Sequence, residues 1–356
     1  MSDLPQRRAN VLGLGLMGGS VALALRTRGW HVTGDDARAS VAERALERAV
    51  VDAVGIDPEA LVTFVAVPAL AVAEVVKRAL GDTRGAVTDI ASTKASVCRD
   101  IDDPRFLGGH PMAGSELEGL DGADADMFEG AVWVLTPTAT TADATFSQVA
   151  TTVGELGAEV VALAPDRHDA VVAVVSHVPH LAAATLMGLA AERSEEHGSL
   201  LRLAAGGFRD MTRIASGHPA IWLDICADNR VAIVDVLGGL IDRLQEMRAV
   251  VAGDDRDRLE TLLRSARDAR ANLPSRVSNA ESLAEVRIPI PDRPGAAAEV
   301  FTLAAELSVN IADFEVVHSA EGARGVAVVL VDAGSADLFR GGLLARGFRP
   351  AVQRLS

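Results

Sequence analysis

Apolar positions follow two different periods along this chain. Short apolar runs bounded by turn formers come first, at Asn10-Val11-Leu12, His31 to Gly34, Leu61 to Val67, Ala86 to Asp89, Phe106 to Gly109, Ala131 to Thr136 and Glu159 to Leu163. Runs of this length predict buried strands. Between several of them the spacing lengthens to three or four, as in Val21 to Arg26, Ala71 to Leu80 and Ala142 to Leu156, which predicts helices. Strand and helix in alternation predict an α/β domain over 1–165, a parallel doubly wound sheet of the Rossmann type. From Pro165 the strand period stops. A helical stretch runs to Ala191, with Pro179 inside Ser176-His177-Val178-Pro179-His180 predicting a kink. One amphipathic helix is expected from Pro219 to Val251 and a charged one from Asp254 to Arg270. This all-helical domain, 166–272, must bury its apolar faces somewhere, and a homodimer is the expected solution. A linker is expected at 273–283. Over 284–356 the period changes again, and strand, helix, strand, strand, helix, strand predicts a ferredoxin-like βαββαβ domain.

Composition narrows the function classes. The chain has 356 residues, about half apolar and only 3% aromatic, with a formal charge of −15. That charge argues against non-specific nucleic-acid binding, although a local arginine can still hold an anionic substrate. Cys98 and Cys226 form neither a CxxC pair nor a metal-ligand spacing, so no metal is expected and a reducing cytoplasm is the expected compartment. Residues 1–8 carry no apolar signal core, and no uninterrupted apolar run of membrane-spanning length occurs, so no membrane partner is expected.

The chemistry begins at Gly13-Leu14-Gly15-Leu16-Met17-Gly18, between a strand and a helix. This is G-x-G-x-x-G in the context that gives it meaning. Gly13 makes the tight turn, Gly15 admits a pyrophosphate, and the helix N-terminus stabilises it. Asp35-Asp36 closes the next strand, where a carboxylate binds a ribose hydroxyl. Asp36 is the favoured residue, and two acids there favour NAD over NADP. Val67-Pro68 and Thr88 to Lys94 end two further strands, where ligands of such sheets bind.

His110 follows Gly108-Gly109 and precedes Pro111, which predicts a tight exposed corner carrying an imidazole able to trade a proton near neutral pH. Ser92 is either the N-cap of the helix starting near Lys94 or a hydroxyl orienting His110. Lys94 is expected to be a solvated helix lysine. Glu116 is either a first-turn carboxylate or a gate beside the histidine. His177 and His180 are interior histidines by default. Gly206 to Arg213 predicts a helix start with Arg213 free to pair with Asp210 or to grip a substrate carboxylate.

Together these stretches resemble the prephenate dehydrogenase family, including its arogenate-using relatives, from about residue 9 to residue 270. The carrying motifs are Gly13 to Ser20, Thr88 to Lys94, Gly108 to Glu116, Leu135 to Thr138, His168-Asp169, Ser176 to His180 and Gly206 to Arg213. The resemblance implies that His110 accepts the proton of the substrate's ring hydroxyl and that Ser92 positions it. It implies that Arg213 grips the side-chain carboxylate, that His180 supports substrate binding, that Glu116 is an acidic group near the pocket mouth, and that Ser115 is among the substrate-binding residues. Ser115 stands where threonine is also common. Gly13, Gly15, Leu16, Met17, Gly18, Asp36, Val67 and Pro68 would hold NAD. After the linker, Asp292-Arg293-Pro294-Gly295 and Val309 to Asp313 resemble an ACT domain, which implies an amino-acid effector near Gly295 and Asn310.

The implied reaction is oxidative decarboxylation of prephenate or of arogenate, and these motifs do not separate the two. One rival is a β-hydroxyacid or imine-reducing dehydrogenase, which relies on a lysine in the helical domain; no lysine occurs after Pro165. The other is a non-catalytic sensor of NAD and an amino acid.

Overall fold

A computed structural model describes residues 6–114, 117–196, 203–271, 283–291, 293–318 and 324–354. The expected linker at 273–283 lies almost wholly outside the described residues. The chain falls into two units, Met1–Ala184 with Ile214–Gln245, and Thr185–Arg213 with Glu246–Ser356.

The first unit is built on strands β1 (Arg8–Leu12), β2 (His31–Asp35), β3 (Ala53–Val54), β4 (Val62–Val65), β5 (Ala86–Asp89), β6 (Phe106–Pro111), β7 (Val132–Thr136) and β8 (Glu159–Ala162). Helices α1 (Leu16–Thr27), α2 (Ala39–Glu47), α3 (Val72–Asp82), α4 (Ala95–Asp100) and α5 (Asp143–Glu155) lie between them. The eight strands run in the order β3-β2-β1-β4-β5-β6-β7-β8. The central strands are buried on both faces, which is why they read as continuous apolar runs. The order reverses between β1 and β4, and the carboxyl ends of that pair form the crevice where such sheets bind ligands. Asn10, wholly buried in β1, is satisfied by the Asp57 carbonyl at 3.0 Å, the Thr63 hydroxyl at 3.1 Å and the Asp57 N–H at 2.9 Å.

The sheet is not all parallel. β7 pairs antiparallel to β6, and β8 then runs parallel to β7. Among the described residues between β6 and β7 there is only one 3-10 turn, Leu120–Gly122, and no crossover helix. Parallel neighbours need a crossover, so the returning strand runs the other way. The two-residue β3 had no apolar signature of its own.

Helix α6 (Pro165–Val172) passes through a single π-helical turn at Ala173–His177 into α7 (Val178–Glu196). The π turn lies just before Pro179, whose ring cannot donate a backbone hydrogen bond. As one helical run, Pro165–Ser194 is long and apolar enough to cross a membrane, with mean hydropathy 1.7 over an 18-residue window. The run is not uninterrupted, since His168, Asp169, Ser176, His177 and His180 stand within it. Here its polar side chains His168, Asp169 and His177 are buried in the first unit. The single helix expected from Pro219 is two, α9 (Pro219–Asp228) and α10 (Arg230–Ala252), broken at Asn229. A small core of Ala173, Val178, Ile225 and Ile233 joins these helices.

The second unit contains α8 (Gly206–Thr212), α11 (Arg256–Ala271) and a C-terminal module: β9 (Leu283–Pro291), α12 (Ala296–Glu306), β10 (Ile311–His318), β11 (Arg324–Asp332), α13 (Ala336–Ala345) and β12 (Ala351–Arg354). Its antiparallel sheet runs β10-β11-β9-β12, with each helix following a strand as in split βαβ units. β9 alternates buried and exposed residues, and its inward positions pack on Val300, Leu303 and Phe339.

Candidate active site

His110 is not on an exposed corner. It is the fifth residue of β6, opposite Val134 of β7, and only 8% exposed. The preceding glycines serve close packing rather than a turn. A Cβ at Gly108 would lie 2.4 Å from Thr136 Oγ1 and 2.9 Å from Cys98 Sγ, and one at Gly109 would lie 2.7 Å from the Asp89 carbonyl oxygen. Strand alternation puts Phe106, Gly108 and His110 on one face. That face meets α4, so glycine at 108 lets α4 approach and His110 emerges beside it.

His110 Nδ1 lies 2.9 Å from His168 Nε2, and His168 Nδ1 lies 2.8 Å from Asp169 Oδ1. The Asp169 carboxylate also accepts the backbone N–H groups of Lys94 at 2.8 Å and Ala95 at 2.9 Å. It thereby caps the N-terminus of α4 from α6. The proton positions follow from these contacts. An ionised Asp169 only accepts, so His168 carries its proton on Nδ1. His168 Nε2 is then an acceptor, so His110 must donate from Nδ1. His110 Nε2 is left as the basic nitrogen.

The electrostatics agree. Burial pushes the Asp169 carboxyl upward, but the hydrogen bonds from His168, Ala95 and Lys94 outweigh it and hold the group below its usual range. Burial, with His168, Lys94 and His177 nearby, holds His110 well below the ordinary 6.5, so it is neutral at pH 7. Burial likewise takes His177 down to about 4. Asn229, at the break between α9 and α10, donates to the Asp169 carbonyl at 2.8 Å and lies 3.2 Å from His177 Nδ1.

Lys94 is not solvated. Both Lys94 and Asp89 are fully buried and form an ion pair. Asp89 also accepts the N–H groups of Gly109 at 3.2 Å and Ala91 at 3.0 Å. Ser92 does not cap α4, because Asp169 does. Among the described residues its hydroxyl makes no hydrogen bond, and His110 Nδ1 is engaged by His168 instead. His180 stacks on Trp222, with centroids 3.5 Å apart and planes at 13°. Burial lowers its pKa as well. Arg213 is exposed at the end of α8 and belongs to the second unit. Ser115 and Glu116 lie outside the described residues. Gly295 is the left-handed N-cap of α12, and Asn310 is exposed just before β10.

The glycine loop meets the demands of a dinucleotide. Gly13 has φ +96° and a Cβ there would lie 2.3 Å from the Ala66 carbonyl oxygen; one at Gly18 would lie 1.9 Å from the Gly13 oxygen. Beside Gly15 the space is open. Gly15 caps α1 without a side chain, and no acid occupies the first turn at Leu16 or Met17, so the helix N-terminus is free to face an anion. Asp36 is held by the Leu14 N–H at 2.9 Å and the Arg38 N–H at 3.0 Å. Val67 and Pro68 follow β4 at the same edge.

The sequence reading assigned no separate role to His168, Asp169, Asn229 or the Asp89–Lys94 pair. His168-Asp169 and Thr88 to Lys94 stood among the motifs of the resemblance, and the further signal was polarity inside apolar elements: a His-Asp step in an apolar helix, and an asparagine in the middle of an amphipathic run.

Glycine loop and imidazole stand on one edge, since β1, β4, β5 and β6 are parallel, the loop follows the carboxyl end of β1 and His110 is the penultimate residue of β6. A nucleotide crevice beside a neutral base is the working arrangement of a Rossmann dehydrogenase. The comparisons with known proteins narrow that class. Residues 21–162 match the family model described as prephenate dehydrogenase, nucleotide-binding domain, and residues 164–265 match prephenate dehydrogenase, dimerization domain. A prephenate dehydrogenase of Bacillus subtilis is 32% identical over 330 residues, covering 88% of this chain and 89% of that protein. The crystal structure of prephenate dehydrogenase from A. aeolicus in complex with hydroxyphenyl propionate and NAD+ is similar at TM-score 0.71 and 26% identity, covering 77% of this chain and all of that one. An arogenate dehydrogenase structure from Synechocystis is similar at TM-score 0.64 and 30% identity, covering 74% and 98%. The chain belongs to the prephenate dehydrogenase family.

Proposed function

We propose that this chain oxidises and decarboxylates prephenate to 4-hydroxyphenylpyruvate with NAD+. The observation that carries the mechanism is the His110–His168–Asp169 chain, which leaves a neutral, basic Nε2 on His110. Prephenate is a cyclohexadienol with a ring carboxylate opposite its hydroxyl. Loss of carbon dioxide and hydride makes the ring aromatic, so the protein must align the ring and remove one proton. His110 Nε2 takes the hydroxyl proton. His168 holds the developing imidazolium through Nδ1, and Asp169 answers its charge. Burial keeps water from competing for the base. When bound, NAD+ supplies the hydride acceptor, and Gly13, Gly15, Gly18, Leu16, Met17 and Asp36 are the residues that would hold it, with Val67 and Pro68 alongside.

Further site roles rest on family resemblance. Arg213 is the fork for the side-chain carboxylate. His180, fixed against Trp222, contacts substrate; Ser92, with its hydroxyl uncommitted, serves the ring hydroxyl. Ser115 and Glu116 are proposed as substrate-binding residues.

A homodimer through the helical domain is supported by the matched dimerization model and by exposed apolar side chains at Ile221, Leu223, Val231, Val234, Ile241 and Leu244. The C-terminal module is proposed as an ACT domain binding an amino acid near Gly295 and Asn310, supported by its βαββαβ order. The cytoplasm is the proposed compartment, in keeping with two free cysteines.

The test is a two-by-two assay of prephenate and arogenate with NAD+ and NADP+, following reduced nicotinamide, with and without tyrosine. Prephenate with NAD+ is expected to give the highest kcat/KM. No turnover of prephenate would end this reading, and higher kcat/KM for arogenate would replace the substrate. Inhibition by tyrosine that survives removal of residues 283–356 would remove the effector role from the C-terminal module.

A further inference from the structure

We propose that Asp89 and Lys94 are a positioning pair for His110, a buried carboxylate–ammonium clamp that fixes the strand end bearing the base and holds a positive charge behind its imidazole. The proposal rests on the reading of His110 as the base.

Both side chains are 0% exposed. Asp89 ends β5, and its carboxylate accepts the N–H of Gly109, the residue immediately before His110, at 3.2 Å. It accepts Ala91 N–H at 3.0 Å and the Lys94 ammonium as well. The backbone of the base is thus pinned to the neighbouring strand by a side chain, where the regular pairing of β5 and β6 ends at Leu107. Lys94 is tied to both carboxylates of the site. Its ammonium meets Asp89, and its backbone N–H donates to Asp169 Oδ1 at 2.8 Å. Residue 94 therefore links the clamp under the strand to the far end of the histidine relay. Glycine at 108 leaves room for this lysine, since a Cβ there would approach Lys94 Cδ to 3.3 Å.

Stability gives weak grounds for such a pair. Desolvating two charges costs several kcal/mol per ion, and well-packed apolar replacements are often neutral or stabilising. Function supplies the reason. His110 must stay neutral to accept a proton. The charged and titratable groups around it are His168 and Asp169 from α6, His177 from the π turn, Lys94 from α4 and Asp89 at the end of β5; burial is the largest influence against a positive charge on its ring, and Lys94 adds to it.

The test is the double variant Asp89→Asn with Lys94→Met, compared with Lys94→Arg. Asparagine keeps an acceptor for the Gly109 N–H, and no buried charge is left alone. The acid limb of kcat/KM for prephenate is expected to move up by ~0.5 pH unit or more in the double variant, because Lys94, and not the Asp89 carboxylate lost with it, is among the influences that hold the His110 pKa down. Lys94→Arg is expected to keep the wild-type limb. An unmoved limb, or a uniform fall in kcat at every pH, overturns the proposal, since a merely structural pair changes amplitude and not protonation. If the double variant shows no cooperative melt, Asp89→Asn with Lys94→Gln, which keeps a polar pair in place of the ion pair, carries the same expectation and the same refutation. Wild-type turnover of prephenate is measured alongside. Its absence would refute the assigned reaction, whereas an unmoved limb with an active wild type refutes only the pair.

Discussion

Replacing Asp169 by asparagine changes one oxygen to an amide nitrogen and removes one charge. The carboxylate now takes three donors: Lys94 N–H, Ala95 N–H and His168 Nδ1–H. With the amide oxygen toward His168, the amide nitrogen faces the Ala95 N–H. With the amide turned round, it faces Lys94 N–H and His168, which must then move its proton to Nε2. His110 would in turn carry its proton on Nε2 and could not act as a base. Both arrangements leave one buried donor facing another, so both are populated. The larger loss is electrostatic. The carboxylate is about 8 Å from the His110 ring, across two hydrogen bonds of 2.9 and 2.8 Å and one imidazole, so at an effective dielectric of about 20 it answers the developing imidazolium by about 2 kcal/mol. Turning a charged acceptor of His168 into a neutral one forfeits about 1 kcal/mol more. The total of about 3 kcal/mol corresponds to a loss on the order of 10²-fold in kcat/KM. The assay is steady-state reduction of NAD+ with prephenate, with cofactor affinity and thermal melting as controls. A folded Asp169→Asn enzyme within about threefold of wild type would refute the relay.

Other expectations follow from the same geometry. The acid limb of kcat/KM should lie below pH 6.5, because His110 is active when neutral and its pKa is held below that value; a limb at or above 6.5 would contradict the buried setting. Gly109→Ala should destabilise the fold by ~1–3 kcal/mol and depress turnover, since its Cβ would meet Asp89 O, Thr88 Oγ1 and Trp133 Nε1 within 3.0 Å; an unchanged melting temperature would show that the strand can yield. Arg213→Ala should raise KM for prephenate with NAD affinity unchanged, and an equal KM would remove it from the carboxylate site.

Much of this molecule is written in local pattern. The β1–α1–β2 unit with its glycine loop and Asp36 was legible because each residue type there answers a local demand. β5 matches its predicted span, Ala86 to Asp89, to the residue for the same reason. What pattern did not carry is partnership at long range. Gly108-Gly109 reads as a turn until Cys98 and Thr136 are seen against it. Lys94 reads as a surface lysine until Asp89 is seen beneath it. The direction of β7 depended on the connection before it, and Asn229 gave no sign that it reaches Asp169, 60 residues earlier in the chain.

The carboxylate that caps α4 comes from 75 residues downstream, beyond the last strand of the nucleotide half. That half is consequently not an independent part. Severed after β8, it would keep a place for the dinucleotide but surrender both the start of a helix and the instruction that tells residue 110 which nitrogen to leave bare. Recombination at this border would yield a cofactor binder instead of a catalyst, so the two segments are bound to be inherited together.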